Sequence, residues 1–106
     1  LGSLDMHGSK DVVDLVSKTP GAIGYSGLAY TTPEVKMVPV LSKDGTPIAP
    51  STATAADGTY PIARPLLMYT AGQPTGKVKT YLDWILSPTG QKIILAKGYA
   101  PAIKLN

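Results

Sequence analysis

The sequence predicts a mixed α/β fold, and three observations carry that reading. Apolar residues recur at helical spacing once near the start of the chain and twice near its end. Short apolar runs bounded by turn residues lie between them, and 11 glycines and 10 prolines punctuate brief elements with no internal repeat. The length of 106 residues fits one compact domain, and 43% hydrophobic with 16% charged residues is a globular balance.

The elements follow in order. A first helix is expected over Lys10 to Lys18, with Ser9 as its N-cap, Val12, Val13, Leu15 and Val16 as its apolar stripe and Pro20-Gly21 as its stop. Ala22-Ile23-Gly24-Tyr25 reads as a buried strand, with glycine where something packs closely. Val35 to Leu41 reads as a second strand, and the Asp-Gly turn in Lys43-Asp44-Gly45-Thr46 returns Thr46 to Ala49 beside it. Pro50 to Gly58 makes a short helix with Ser51 as cap and Gly58 as its left-handed stop. Ile62 to Thr70 reads as a strand whose two prolines, Pro61 and Pro65, each remove a ladder donor and so belong at a strand start, an edge or a bulge. From Gly76 to Leu86, Val78, Tyr81, Leu82, Ile85 and Leu86 form the apolar face of a helix that packs on a sheet. Ser87 then caps a last helix with Pro88 at its first position, carrying Ile93, Ile94 and Leu95 to a stop at Gly98.

Composition excludes several functions. No apolar run approaches the ~18 residues that cross a bilayer. With no cysteine and His7 as the single histidine, there is no thiolate or histidine cluster to hold a metal, and no cofactor is expected. The net charge of +3 is uneven: residues 77–106 hold five lysines against Asp83, and residues 1–76 hold five basic and six acidic side chains. Those lysines are spaced as a solvated helix face, and Arg64 is the single arginine, so a nucleic-acid partner is not expected.

Catalysis is not expected either. A hydrolytic site needs a nucleophile, a base and an orienting group that converge, and His7, the one imidazole, lies in a glycine- and serine-containing terminal stretch. The carboxylates fall in turns or on exposed helix faces, with Asp44 and Asp57 read as turn and helix-end residues. Gly72-Gln73-Pro74-Thr75-Gly76-Lys77-Val78 looks like a phosphate-cradling loop but has three residues between its glycines where four are required, and Val78 in place of the magnesium-holding hydroxyl. Ser9, Ser51-Thr52 and Ser87 stand at helix starts, where hydroxyls and free N–H groups can hold an anion or simply cap the helix. The six tyrosines read as half-buried core with polar tips.

Four segments in order then carry a resemblance. They are Thr19-Pro20-Gly21-Ala22-Ile23-Gly24-Tyr25-Ser26-Gly27-Leu28-Ala29-Tyr30; the lysine-containing Val35 to Val40 with Pro50-Ser51 and Gly58; Tyr60-Pro61-Ile62-Ala63-Arg64-Pro65-Leu66; and the helix Tyr81 to Leu86 with Ser87-Pro88-Thr89-Gly90-Gln91 and Gly98-Tyr99-Ala100-Pro101. Over residues 8–103 the chain resembles the C-terminal portion of the PstS-like phosphate-binding proteins, the periplasmic solute-binding proteins of ABC phosphate transporters. The resemblance implies a two-lobed α/β periplasmic-binding-protein fold of type II whose hinge strands let the lobes close on an oxyanion. By it, residues 1–7 are a terminal segment, 8–30 end the second lobe and approach the hinge, 31–59 form a connecting hairpin and short helix, and 60–106 complete the first lobe. The implied function is non-catalytic binding of phosphate or a related oxyanion in the periplasm or outside the cytoplasm, with a membrane permease as partner.

The same resemblance implies that most ligand residues lie elsewhere. The family holds phosphate with Ser/Thr and Asp residues of the first lobe and an Arg-X-X-Ser-Gly-Thr helix start of the second, and these motifs are not in this sequence. Arg64 matches the family's Tyr-Pro-X-X-Arg-Pro stretch and not its ligand arginine. Tyr25 and Ser26 are the cleft-facing candidates. Strands from two sheets without their neighbours leave open edges and bare apolar faces, so completion by a missing N-terminal portion or a swapped second copy is expected. A start at Leu1 fits a processed product or a fragment. Two other readings stand beside this one: an interaction or assembly module on a solute-binding fold that no longer binds ligand, and an enzyme fragment whose catalytic residues lie in another chain.

Overall fold

The structure is a computed structural model and describes residues 2–106. It divides into two units, one running through Val38 and one over Pro39–Asn106.

The first unit is built on α1, Ser9–Lys18. Asp11 in its first turn and Lys18 in its last complement the helix dipole. Val13 is the buried member of its apolar stripe, with Val12 and Val16 half-buried beside it. Gly8, not Ser9, occupies the cap position. The Ser9 hydroxyl accepts instead from the Gly27 N–H at 3.1 Å, and its carbonyl accepts from the Ser26 hydroxyl at 3.1 Å. These two bonds fasten the returning segment to the start of the helix, ahead of a 3₁₀ turn at Leu28–Tyr30.

The buried strand expected at Ala22–Tyr25 is not formed. That stretch is irregular, with Ile23 86% and Tyr25 91% exposed. A strand exists by pairing its N–H and C=O groups, and no neighbouring strand is offered to it among the described residues. The close packing expected at its glycine is present: a Cβ on Gly24 would stand 2.8 Å from Val12 Cγ1 and 3.1 Å from Val16 Cγ2, so the bare backbone rests on α1.

In the second unit the hairpin is present but short. β1, Val40–Leu41, pairs antiparallel with β2, Pro47–Ile48, with Val40 opposite Ile48 and Leu41 opposite Pro47. The expected strand from Val35 is cut back to two residues, because Val35 closes a turn onto Thr32 and Pro39 has no donor. Gly45 takes φ +84° in the connecting turn, a conformation that suits glycine. α2, Thr52–Ala56, carries a full capping box: the Ser51 hydroxyl accepts from Thr54 N–H while the Thr54 hydroxyl accepts from Ser51 N–H, both at 3.0 Å.

The strand expected over Ile62–Thr70 is not formed among the described residues. Among the described residues no backbone–backbone hydrogen bond engages residues 64–71. α3, Gly76–Ile85, and α4, Pro88–Ala96, are the tandem helices the sequence predicts. α3 packs against α4 rather than on a sheet, since the one sheet among the described residues is the two-stranded hairpin. Ser87 caps α4 by accepting from Gly90 N–H, Pro88 stands at the helix start, and Gly98 at φ +83° ends it with Gly98 N–H donating to Leu95 and Tyr99 N–H to Ile94. That pair of bonds satisfies two of the last carbonyls. Gly90 and Gln91, at the joint between the two helices, are the buried residues of this unit.

Candidate functional site

Tyr25 and Ser26, the sequence candidates, lie on the irregular segment held against the start of α1. The Ser26 hydroxyl and the neighbouring Gly27 N–H tie this segment to Ser9. The Tyr25 phenol is left in solvent, 91% exposed. The half-buried tyrosine core expected from the sequence is corrected at several positions, because Tyr69 is 86% and Tyr81 59% exposed as well. Tyr81 stacks on Trp84 one turn along α3, with ring centroids 6.4 Å apart, so these rings shield each other and not a core.

Chemically the two candidates differ. A phosphate oxyanion needs hydrogen-bond donors. The Ser26 proton is already committed to the Ser9 carbonyl, whereas among the described residues nothing engages the Tyr25 hydroxyl. Ser9 is the residue whose role the sequence does not reveal: its place predicts a cap, and its hydroxyl is turned toward Gly27 instead. The signal that could have found it is the Ser-Gly pair at Ser26-Gly27, a donor-rich turn that needs an acceptor nearby.

The second unit offers a surface depression lined by Ser42, Lys43, Asp44, Thr46, Ile48 and Thr59. Its hydroxyls are spent locally. The single Ser42 hydroxyl proton is shared between Asp44 and the Thr46 carbonyl, and Thr59 donates to Asp57. An anion placed there would face Asp44, so this depression is read as a turn and not an oxyanion site. The Ser42 hydroxyl, then the Thr46 N–H, hold the Asp44 carboxyl below its ordinary value of 3.8, and the Thr59 hydroxyl and N–H do the same for Asp57. A lowered folded-state pKa contributes order that is present above the ordinary value and lost as pH falls through the folded one. The Asp44 and Asp57 carboxyls are therefore expected to titrate with midpoints under that ordinary value of 3.8 in a carboxyl-detected NMR series. Midpoints above it would contradict these bonds.

Among the described residues no group of three or more His, Asp or Glu side chains gathers to hold a metal, and no helix is long and apolar enough to cross a membrane.

Comparison with known proteins places the chain in a family. Residues 2–89 match the PBP superfamily domain, and the chain belongs to that superfamily. Within it, the chain is similar to the phosphate-binding protein PstS of Pseudomonas aeruginosa, 36% identical over 102 residues, covering 92% of this chain and 32% of that protein. It is 39% identical over 99 residues to the phosphate-binding protein PstS of Bacillus subtilis, with the same coverage of each. Phosphate-binding protein PstS 2 of Streptococcus agalactiae is 36% identical over 87 residues, 81% of this chain and 28% of that protein. The chain thus spans about a third of the length of the curated relatives it matches. No solved structure gives a significant match.

Proposed function

We propose that this chain serves the non-catalytic capture of inorganic phosphate or a related oxyanion for uptake by an ABC transporter, outside the cytoplasm. The observation that carries the reading is the similarity of 36–39% over nine-tenths of the chain to proteins named for phosphate binding. In this reading capture is closure of two lobes, and the transporter's membrane permease is the partner that receives the ligand. The chain supplies closing parts of both lobes, and an N-terminal portion or a second copy completes them. Most ligand groups belong to sequence outside these 106 residues. Tyr25 and Ser26 face the ligand cleft, with Tyr25 as the donor.

Titration calorimetry tests this with inorganic phosphate as the probe. The 106-residue chain alone is expected to show no saturable heat, and the reading frame that carries it together with an Arg-X-X-Ser-Gly-Thr stretch is expected to bind. Tight binding by the chain alone would overturn the placement of the ligand groups. No binding by the longer chain would overturn phosphate and favour the second reading, an assembly module on the same fold. That second reading has one observation in its favour, the many large apolar side chains left in solvent, among them Leu66, Leu67, Met68 and Tyr69.

A further inference from the structure

α2 is five residues long, and isolated helices shorter than about 12 residues are marginal in water, so its capping box cannot hold it alone. The chain that follows gives it little support. Among the described residues no backbone–backbone hydrogen bond engages residues 64–71, the stretch that leads on to α3. Yet the hairpin, α2 and the tandem helices belong to one compact unit. Something other than chain continuity joins them.

Residues 101–106 are placed to do so. They line one groove of about 600 Å³ together with Thr52, Ala53 and Ala56 of α2 and Leu95 of α4. Burial along them alternates: Pro101, Ile103 and Leu105 are half-buried, whereas Ala102, Lys104 and Asn106 are exposed. A period of two turns one apolar face inward and leaves the other to water. The near end of the segment is pinned. Ala102 N–H donates to the buried Gln91 side chain at 2.6 Å, and the same side chain donates to the Ile85 carbonyl at the end of α3.

We propose that residues 101–106 are a strap that fastens α2 to the tandem helices. Gln91 anchors it at the joint between α3 and α4, and Ile103 and Leu105 carry its apolar face along the groove to α2. Opening of the strap releases α2 without unfolding α3 or α4, so α2 with its hairpin is the part of this unit that comes loose first. In the phosphate-capture reading the strap gives the hairpin, α2 and the tandem helices one common movement during closure. The inference itself uses only the geometry of this unit and does not depend on that reading.

Amide exchange followed by NMR on the 106-residue chain tests it. The reporters are the Ala55 and Asp57 amides, which bond the Ser51 and Ala53 carbonyls in α2, and the Leu86 amide, which bonds the Leu82 carbonyl in α3. Ile103→Ser combined with Leu105→Ser is expected to speed exchange at Ala55 and Asp57 at least about tenfold, with Leu86 changed by less than about threefold. Lys104→Ser, on the outer face, should move all three by less than about threefold. Ile103→Val combined with Leu105→Met keeps the inner face apolar and should preserve the protection of α2. Unchanged protection of α2 in the double serine variant overturns the proposal. So does equal acceleration at Leu86, which would mean a general loss of stability, and so does a parent chain in which Ala55 and Asp57 already exchange freely.

Discussion

Gly90→Ala is expected to destabilise the second unit by about 2 kcal/mol, read as a lower urea midpoint of the helical signal. Gly90 sits in the first turn of α4, where the end of α3 passes over it. A Cβ there would stand 2.5 Å from both the Ile85 and Trp84 carbonyl oxygens and 2.9 Å from the Ile85 carbonyl carbon. All three are backbone atoms. They cannot swing aside as a side-chain tip would, because Leu86 N–H bonds Leu82 and Ser87 N–H bonds Trp84 in the same corner. Two effects oppose each other. Alanine gains about 1 kcal/mol over glycine in a helix interior. Overpacking a tight site costs about 3 kcal/mol when the backbone must move. Gly90 is not among the glycines with positive φ, so the penalty is steric alone. A variant as stable as the parent would mean that α4 can slide off α3 freely, and the tight corner would then have no energetic weight.

What the sequence could and could not reveal follows from the range of each interaction. The four helices were legible because their signals are local. Ser51 and Thr54 cap α2 within three residues, Ser87 and Pro88 start α4, and Gly58 and Gly98 stop the helices with positive φ. The strands at Ala22–Tyr25 and Ile62–Thr70 were over-read for the opposite reason. Apolar runs mark where a strand would be buried, but a ladder needs a second segment, and none is supplied among the described residues. Their exposed side chains, Ile23 and Leu66 among them, record the same lack of a partner. Tyr25 and Ser26 were legible as a segment, whereas the group that fixes them was not. Ser9 is 17 residues from Ser26, and a helix-start serine looks the same in sequence whether it caps its helix or receives another segment's donors.

Gln91 is the residue the sequence hid most completely, and its replacement carries the other large expected effect. A glutamine in the first turn of a surface helix reads as solvated, yet this one is 1% exposed. Its amide nitrogen donates to the Ile85 carbonyl at 2.9 Å, and its amide oxygen accepts from the Ala102 N–H at 2.6 Å. One side chain thus ties the end of α3 to the segment after α4. Gln91→Ala removes both bonds and leaves a small void, so a loss of about 2–3 kcal/mol is expected, with the Ala102 amide exchanging faster while the Gly90 amide, held by Ser87, keeps its protection. Gln91→Glu separates the two bonds by charge. When protonated, the new carboxyl can donate to Ile85 and accept from Ala102 as the amide does. When ionised it has no donor, so an oxygen faces the Ile85 carbonyl in a buried site, and the charged form is disfavoured. The folded-state pKa is therefore raised above the roughly 4.3 of an unfolded glutamate. With that sign, the variant is closest to the parent below about pH 4 and falls away as pH rises toward the folded value, the deficit growing by about 1.4 kcal/mol for each unit of raised pKa. Paired urea titrations of parent and variant across this range measure it. A difference that stays constant with pH would show that the carboxyl has turned out to water, and that Ile85 and Ala102 can be bridged without the buried amide.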